Sequence, residues 1–165
     1  MKMDILQHNF KSEKPTSIFT TRIVDDLGGA SYPTPTMNEK IVKSIRDSGD
    51  VQGYKTNVKA YMTDWDMKGK PGFVELEKII LQVCGYLSEK YFNKGINLTV
   101  DNLWGMIYKK GDHAHVHDHW PALWSGVYYI KAPKERGGDL VFPQLKQRVT
   151  PQDGMMIIFD GHTRH

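Results

Sequence analysis

The stretch GDHAHVHDHWPALWSGVYYI, residues 111–130, places His113, His115, His117 and His119 at alternate positions, four of the seven histidines in the chain. Imidazole is a ligand for iron, zinc, copper and nickel, so the chemistry this pattern suggests is metal binding. In a strand, alternate side chains share one face, and all four rings would point the same way. At a rise of about 3.3 Å per residue, positions i and i+2 lie about 6.6 Å apart and i and i+4 about 13 Å. Two neighbouring rings can converge on one ion with metal–nitrogen bonds of about 2.0–2.1 Å, whereas rings four residues apart on a straight strand cannot. One ion therefore takes a single pair, 113/115, 115/117 or 117/119, and a distant residue must complete the site. His162 and His165, in MMIIFDGHTRH, are the distant candidates; His8 stands alone in a polar segment and is given no role. The competing reading is a surface ribbon that takes up metal adventitiously. A second histidine pair after the last strand-like run favours a built site.

The elements that would carry these residues differ between the two halves. After Asn97, LTVDNLWGMIYKK, LWSGVYYIKA, DLVFPQ and MMIIFD are short runs of aromatic and β-branched residues, separated by the turn compositions KGD, KERGG and TPQDG. Before it, TMNEKIVKSIRDSGD predicts a short helix from Met37 to Ser48, closed by Ser48–Gly49. Residues 71–92 form the strongest helical pattern. Phe73, Leu76, Ile79, Ile80, Val83, Leu87 and Tyr91 recur at steps of three and four, with Pro71 in the first turn. That stripe is expected to face a core. The first ~35 residues, with Pro15, Pro33, Pro35 and Gly28–Gly29, give only a weak strand signal around Ser17–Val24. The expected class is mainly β with N-terminal helices: an antiparallel sandwich or barrel covered by one long and one short helix. No repeat, low-complexity tract or internal boundary is evident, so a single domain over 1–165 is expected, helical and irregular over 1–95 and β over 96–165.

Bulk properties narrow the classes further. With 165 residues, 39% hydrophobic and 25% charged, the chain has ordinary globular composition, which argues against disorder. No apolar run approaches bilayer length and no signal-peptide pattern opens the sequence, so no membrane partner is expected. A lone cysteine, Cys84, fits a reducing compartment, and a cytoplasmic location is expected. The net charge of +3 is mild and its Lys and Arg residues are scattered, which disfavours nucleic acid as a partner.

Taken in order, NLWGMIYKKGD, HDHWPALWSGVYYI, GGDLVFP and VTPQDGMMIIFDGHTRH resemble the Fe(II)/2-oxoglutarate-dependent oxygenase superfamily, and within it the functionally undefined oxygenases common in marine bacteria and phages. The resemblance covers residues 55–165 well and the first 50 poorly. It implies a double-stranded β-helix, a cupin-like jelly roll, as the core over 96–165. It also implies Fe(II) and 2-oxoglutarate as cofactors, dioxygen as co-substrate, and a hydroxylase-type dioxygenase activity. Aligned on SGVYY, the family's H-x-H falls on His117 and His119, and the spacing from Phe159 selects His165 as the third metal ligand. His113 and His115 become extras at the mouth, and His162 a loop residue. Tyr108 holds the place where related hydroxylases carry a tyrosine that hydrogen-bonds 2-oxoglutarate. Tyr128 or Tyr129 would line the same pocket, only one of them facing inward. Lys131 is the candidate cation for the distal carboxylate of 2-oxoglutarate, whose usual partner would lie beyond residue 165; a chain that stops at a ligand suggests a fragment, or a further strand that is disordered or absent.

The superfamily's usual third ligand is a carboxylate two residues after the first histidine, and His119 stands there instead. Asp118 would reach the metal only if a bulge swung it inward. Three neutral imidazoles carry one negative charge fewer, as in cupin-type dioxygenases that use iron without 2-oxoglutarate. The alternatives are therefore a cupin-like three-His metal enzyme, an oxygenase or isomerase, and a non-catalytic metal-binding jelly roll. The primary substrate and oligomeric state are not written in these residues.

Overall fold

The computed structural model describes residues 5–10, 16–23, 36–50, 57–133, 135 and 137–165. In chain order the elements are β1 (Ile5–Phe10), β2 (Thr16–Arg22), α1 (Met37–Ser48), β3 (Val58–Lys59), β4 (Tyr61–Met62), α2 (Phe73–Phe92), β5 (Met106–Ile107), β6 (His113–Ala114), β7 (Trp124–Tyr129), β8 (Leu140–Phe142), β9 (Gln147–Val149) and β10 (Met155–Asp160). They fall into two compact units, one from the described residues of Met1–Val24 and His113–His165, the other from those of Asp25–Asp112. Pro15, Gly28–Gly29, Pro33 and Pro35 lie outside the described residues.

In the helical unit, α1 spans the predicted Met37–Ser48. Its start is fixed by a reciprocal cap. Thr36 Oγ1 accepts the Glu39 N–H at 3.2 Å and Glu39 Oε2 accepts the Thr36 N–H at 2.8 Å. Gly49, with φ of 76°, ends it in a conformation that suits glycine. Helix α2 begins two residues after Pro71. Gly72 before it has φ of 82°, and a Cβ there would sit 2.6 Å from the Ile41 backbone nitrogen, so only glycine fits where the two helices meet. Lys40 Nζ lies 2.9 Å from Glu75 Oε1 and holds that carboxyl below its ordinary range. Partly exposed pairs of this kind contribute about 0–1 kcal/mol, so buried Ile41, Ile45, Phe73, Leu76, Val83 and Leu87 hold the unit together. Tyr91, the last residue of the predicted apolar stripe, is exposed because the final turn of α2 runs past that core. Cys84 is buried, which pushes its thiol up to about 12 and makes it unreactive. No described helix is long and apolar enough to cross a membrane.

The histidine-bearing unit is built on an antiparallel sheet of order β1–β2–β10–β7. Half of that sheet therefore comes from the weakly patterned N-terminal segment. The central strand β10, MMIIFD, is a continuous apolar run, as expected of a strand buried on both faces. One face carries Ile157 and Phe159, flanked by Ile18 of β2, and packs against Phe142 of the β8–β9 hairpin. Phe142 and Phe159 meet edge to face at 5.2 Å. The opposite face carries Met156 and Ile158 beside Phe19, whose ring meets Trp124 edge-on at 6.0 Å. Gly126 on β7 lies under Ile158, where a Cβ would come 2.6 Å from its side chain. Gly154, with φ of 75°, opens β10 by accepting from Ile23 N–H at 2.8 Å and donating to Tyr129 at 2.7 Å.

Phe159 is fully buried and touches both the hairpin and His165. Replacing Phe159 by alanine is expected to cost about 3–5 kcal/mol, the usual range for emptying a buried phenylalanine site. Urea unfolding followed by tryptophan fluorescence would read this as a large fall in midpoint. A loss under about 1 kcal/mol would mean that the hairpin does not pack on the sheet as described.

Candidate metal centre

Beyond the end of β7 and β10 the two chains continue alongside each other and bring the histidines together. His117 N–H donates to His165 C=O and His165 N–H donates to His117 C=O, both at 3.0 Å, the reciprocal bonding of an antiparallel pair. The ladder resumes out of step with the sheet. Asp160 faces Trp124, yet five residues lead from Asp160 to His165 and seven from His117 to Trp124. The surplus is taken up in the turn at residues 118–122, where Ala122 N–H donates to His119 C=O at 2.9 Å and Trp120 N–H to Asp118 Oδ1 at 3.2 Å. His119 N–H then reaches across to Gly161 C=O at 2.7 Å.

This crossing needs glycine at 161. A Cβ there would lie 1.8 Å from the Ala122 carbonyl oxygen, an impossible contact with backbone that cannot swing aside. Gly161 in DGHTRH thus sets how closely the segment bearing His165 approaches the turn bearing His119.

The result is a three-imidazole cluster. Ring centroids lie 4.9 Å apart for His117–His119, 4.5 Å for His117–His165 and 5.2 Å for His119–His165. One nitrogen from each ring falls within 4.8 Å of the others, and all three side chains are half-buried. The carbonyls around the rings decide which nitrogens those are. His117 Nδ1 lies 2.7 Å from His115 C=O and His165 Nδ1 3.0 Å from Thr163 C=O. A carbonyl can only accept, so both Nδ1 atoms carry the proton and both Nε2 atoms keep a lone pair. Burial, with repulsion from the neighbouring imidazoles, pulls His119 down from 6.5 to about 4. His165 is lowered for the same first reason, burial. Neither ring has to lose a proton before binding a cation at neutral pH.

These donors fit a divalent transition metal. Neutral nitrogen ligands on one side of an ion, oriented by outer hydrogen bonds, suit iron, zinc, nickel or copper, not calcium or magnesium. Thr163 Oγ1 adds a second indication. Thr163 is 5% exposed, two residues from His165, and its hydroxyl has no hydrogen-bond partner among the described residues. A buried hydroxyl of that kind calls for a water or ligand atom beside it.

Other predicted positions lie elsewhere. His113 and His115 are exposed, and His162 Nδ1 is 2.8 Å from Asp160 Oδ1, so its ring serves an ion pair when protonated. His8 Nε2 is 3.3 Å from Thr20 Oγ1 on the neighbouring strand. Asp118 is exposed and binds its own turn, outside the three-donor group found among the described residues. Of the adjacent tyrosines, Tyr129 packs on the cluster of Phe142 and Phe159, and Tyr128, one residue earlier, projects from the other face of β7. Lys131 is 79% exposed, with Nζ 3.0 Å from Asp153 Oδ2. Tyr108 belongs to the helical unit, where its hydroxyl lies 3.5 Å from Met106 Sδ; partial burial and the Asp112 carboxylate hold the phenol above its usual range. Trp120 is 73% exposed, whereas a core role is the ordinary expectation for tryptophan. Sequence patterns alone miss Gly161, Thr163 and the two orienting carbonyls, because all of these act through backbone approach rather than side-chain type.

Residues 102–165 match the protein-family model described as "Putative 2OG-Fe(II) oxygenase". This segment resembles the Fe(II)/2-oxoglutarate-dependent oxygenase superfamily. It contains all three clustered histidines together with β5 to β10, so the matched segment and the metal-competent cluster coincide. No curated protein and no solved structure gives a match to the chain.

Two outcomes follow from the geometry. Gly161→Ala should force the 118–122 turn away from the His165 segment and cost at least tenfold in Zn(II) affinity, read by competition with a chromophoric chelator; unchanged affinity would refute the close approach. The pH dependence has a definite sign. His119 is lowered in the folded chain, so the unfolded chain binds the extra proton between about pH 6.5 and 4. Metal-free protein should hold its full melting temperature above pH 6.5 and lose stability as pH falls towards 4. His119→Gln should flatten that decline, and an equally steep one in the variant would assign it to other groups.

Proposed function

We propose that the oxygenase segment is an Fe(II)- and 2-oxoglutarate-dependent dioxygenase that hydroxylates a substrate, with His117, His119 and His165 holding the metal. The observation that carries this reading is the coincidence of three convergent imidazoles with the segment that matches the oxygenase family. Fe(II) held there would let dioxygen and 2-oxoglutarate supply the oxidant for an unactivated C–H bond, one oxygen atom entering succinate as carbon dioxide leaves and the other entering the substrate as its hydroxyl. The chain's own share is positional. His115 and Thr163 carbonyls fix two rings with Nε2 inward, and Gly161 sets the spacing of the third. Phe159 and Phe142 form a dry wall against His165, which limits water on that side.

For the co-substrate we assign Tyr129 rather than Tyr128 to the pocket side, because Tyr129 shares the face of β7 that packs on Phe142 and Phe159. Tyr108 is kept as the phenolic hydrogen-bond donor. Lys131 is kept as the cation for the distal carboxylate, a role in which it exchanges Asp153 for the ligand. The reading expects a jelly roll whose open end carries the histidines, within one oxygenase domain over residues 1–165.

One observation favours a second reading. The donor at the usual carboxylate position is His119, and the nearby Asp118 is turned to its own loop. A neutral three-His set is the arrangement of cupin-like metal enzymes that do not use 2-oxoglutarate.

Anaerobic addition of Fe(II) and 2-oxoglutarate separates the two. The first reading expects a weak visible charge-transfer band from the chelate, together with succinate formation in air. Tight iron binding with neither band nor succinate would establish the second. His165→Ala should abolish tight metal binding under both; unchanged affinity would contradict the cluster itself.

A further inference from the structure

We propose that His113 and His115 form a second, outer metal site, open to water, for a transition-metal dication such as Cu(II), Ni(II) or Zn(II). The pair repeats the geometry of its inner counterpart. Ring centroids are 5.1 Å apart at 85° for His113–His115, against 4.9 Å at 81° for His117–His119. Both pairs are spaced i, i+2, the first beginning on β6 and the second leading into the 118–122 turn, a spacing at which two imidazoles can chelate one ion. The ribbon bends at Val116, so the first pair faces solvent while the second turns in towards His165.

The chemistry of the outer pair defines its ligand. It offers two imidazoles, and the three-donor group among the described residues lies elsewhere, so water completes the coordination sphere. Two nitrogen donors on an exposed strand select borderline ions along the Irving–Williams order and exclude Ca(II) and Mg(II). With two protein ligands instead of three, the outer site binds more weakly and exchanges faster than the inner one. It is also linked to it, because the His115 carbonyl accepts the Nδ1–H that orients His117. An ion on His115 therefore acts on the residue whose backbone holds an inner ring in place.

The test is a Zn(II) titration of the full chain by calorimetry, with circular dichroism to confirm folding of each variant. Wild type should bind two unequal equivalents. The double variant His113→Ala/His115→Ala should keep the tight equivalent and lose the weak one. Because chelation needs both rings, His113→Ala alone should lose the weak equivalent as completely as the double variant does. His165→Ala should lose the tight equivalent and keep the weak one. A single equivalent in wild type, a weak equivalent that survives the double variant, or single variants that each remove only half of it would overturn the proposal, the last by showing two independent adventitious imidazoles. Loss of no tight equivalent in His165→Ala would instead overturn the three-histidine cluster, and the double-variant arm would still decide the outer site.

Discussion

Two backbone hydrogen bonds between His117 and His165 hold the rest of the site in place. They join residues far apart in sequence, and through them the end of the chain is laid against the ribbon that leads into β7. Everything chemical depends on that pairing, because two imidazoles on one strand leave an ion half coordinated and the third must come from outside. The pairing cannot continue the sheet in step, since two surplus residues must be absorbed between His117 and Trp124. The turn that absorbs them brings Ala122 against Gly161 so closely that any side chain there is excluded. A constraint on backbone packing thus sets the distance between metal-competent nitrogens.

Electrostatics makes the cluster receptive. Half-burial penalises protonation of His119 and His165, by loss of hydration first and then by repulsion from the neighbouring imidazoles. His119 and His165 are biased towards the neutral form, and the carbonyls of His115 and Thr163 fix two rings by taking the Nδ1 protons of His117 and His165. What is left is a set of lone pairs directed at a common point, with an aromatic wall of Phe159 and Phe142 behind His165. The substitution of histidine for the expected carboxylate leaves a bound dication with its full charge, which strengthens its attraction for anionic chelators.

Much of this was legible in the residues. Helix α1 is announced by the run from Met37 and by Ser48–Gly49 at its end, and α2 by its three-and-four apolar rhythm. The i, i+2 rule confined the local pair to neighbours, and the family resemblance chose His117, His119 and His165, the three that the fold brings together. Other features could not be read. Strand β2 earns its place by long-range pairing with β10 and in turn carries β1, and the signal in Thr16–Arg22 is weak because its partner lies more than a hundred residues away. The exposure of Trp120, the ion pairing of Lys131 and the necessity of Gly161 depend on what approaches each residue in space, which composition does not encode.

The central claim is that one ion is held by Nε2 of His117, Nε2 of His165 and a ring nitrogen of His119, and by no carboxylate of the chain. The most direct measurement is a crystal structure of the zinc-loaded protein with anomalous data at the zinc edge, zinc serving as a redox-silent stand-in. The predicted result is one strong peak about 2.0–2.1 Å from those three nitrogens, the ordinary zinc–imidazole distance. A peak bound through Nδ1 of His117 or His165, or one that takes Asp118 into its coordination sphere in place of His119, would contradict the account.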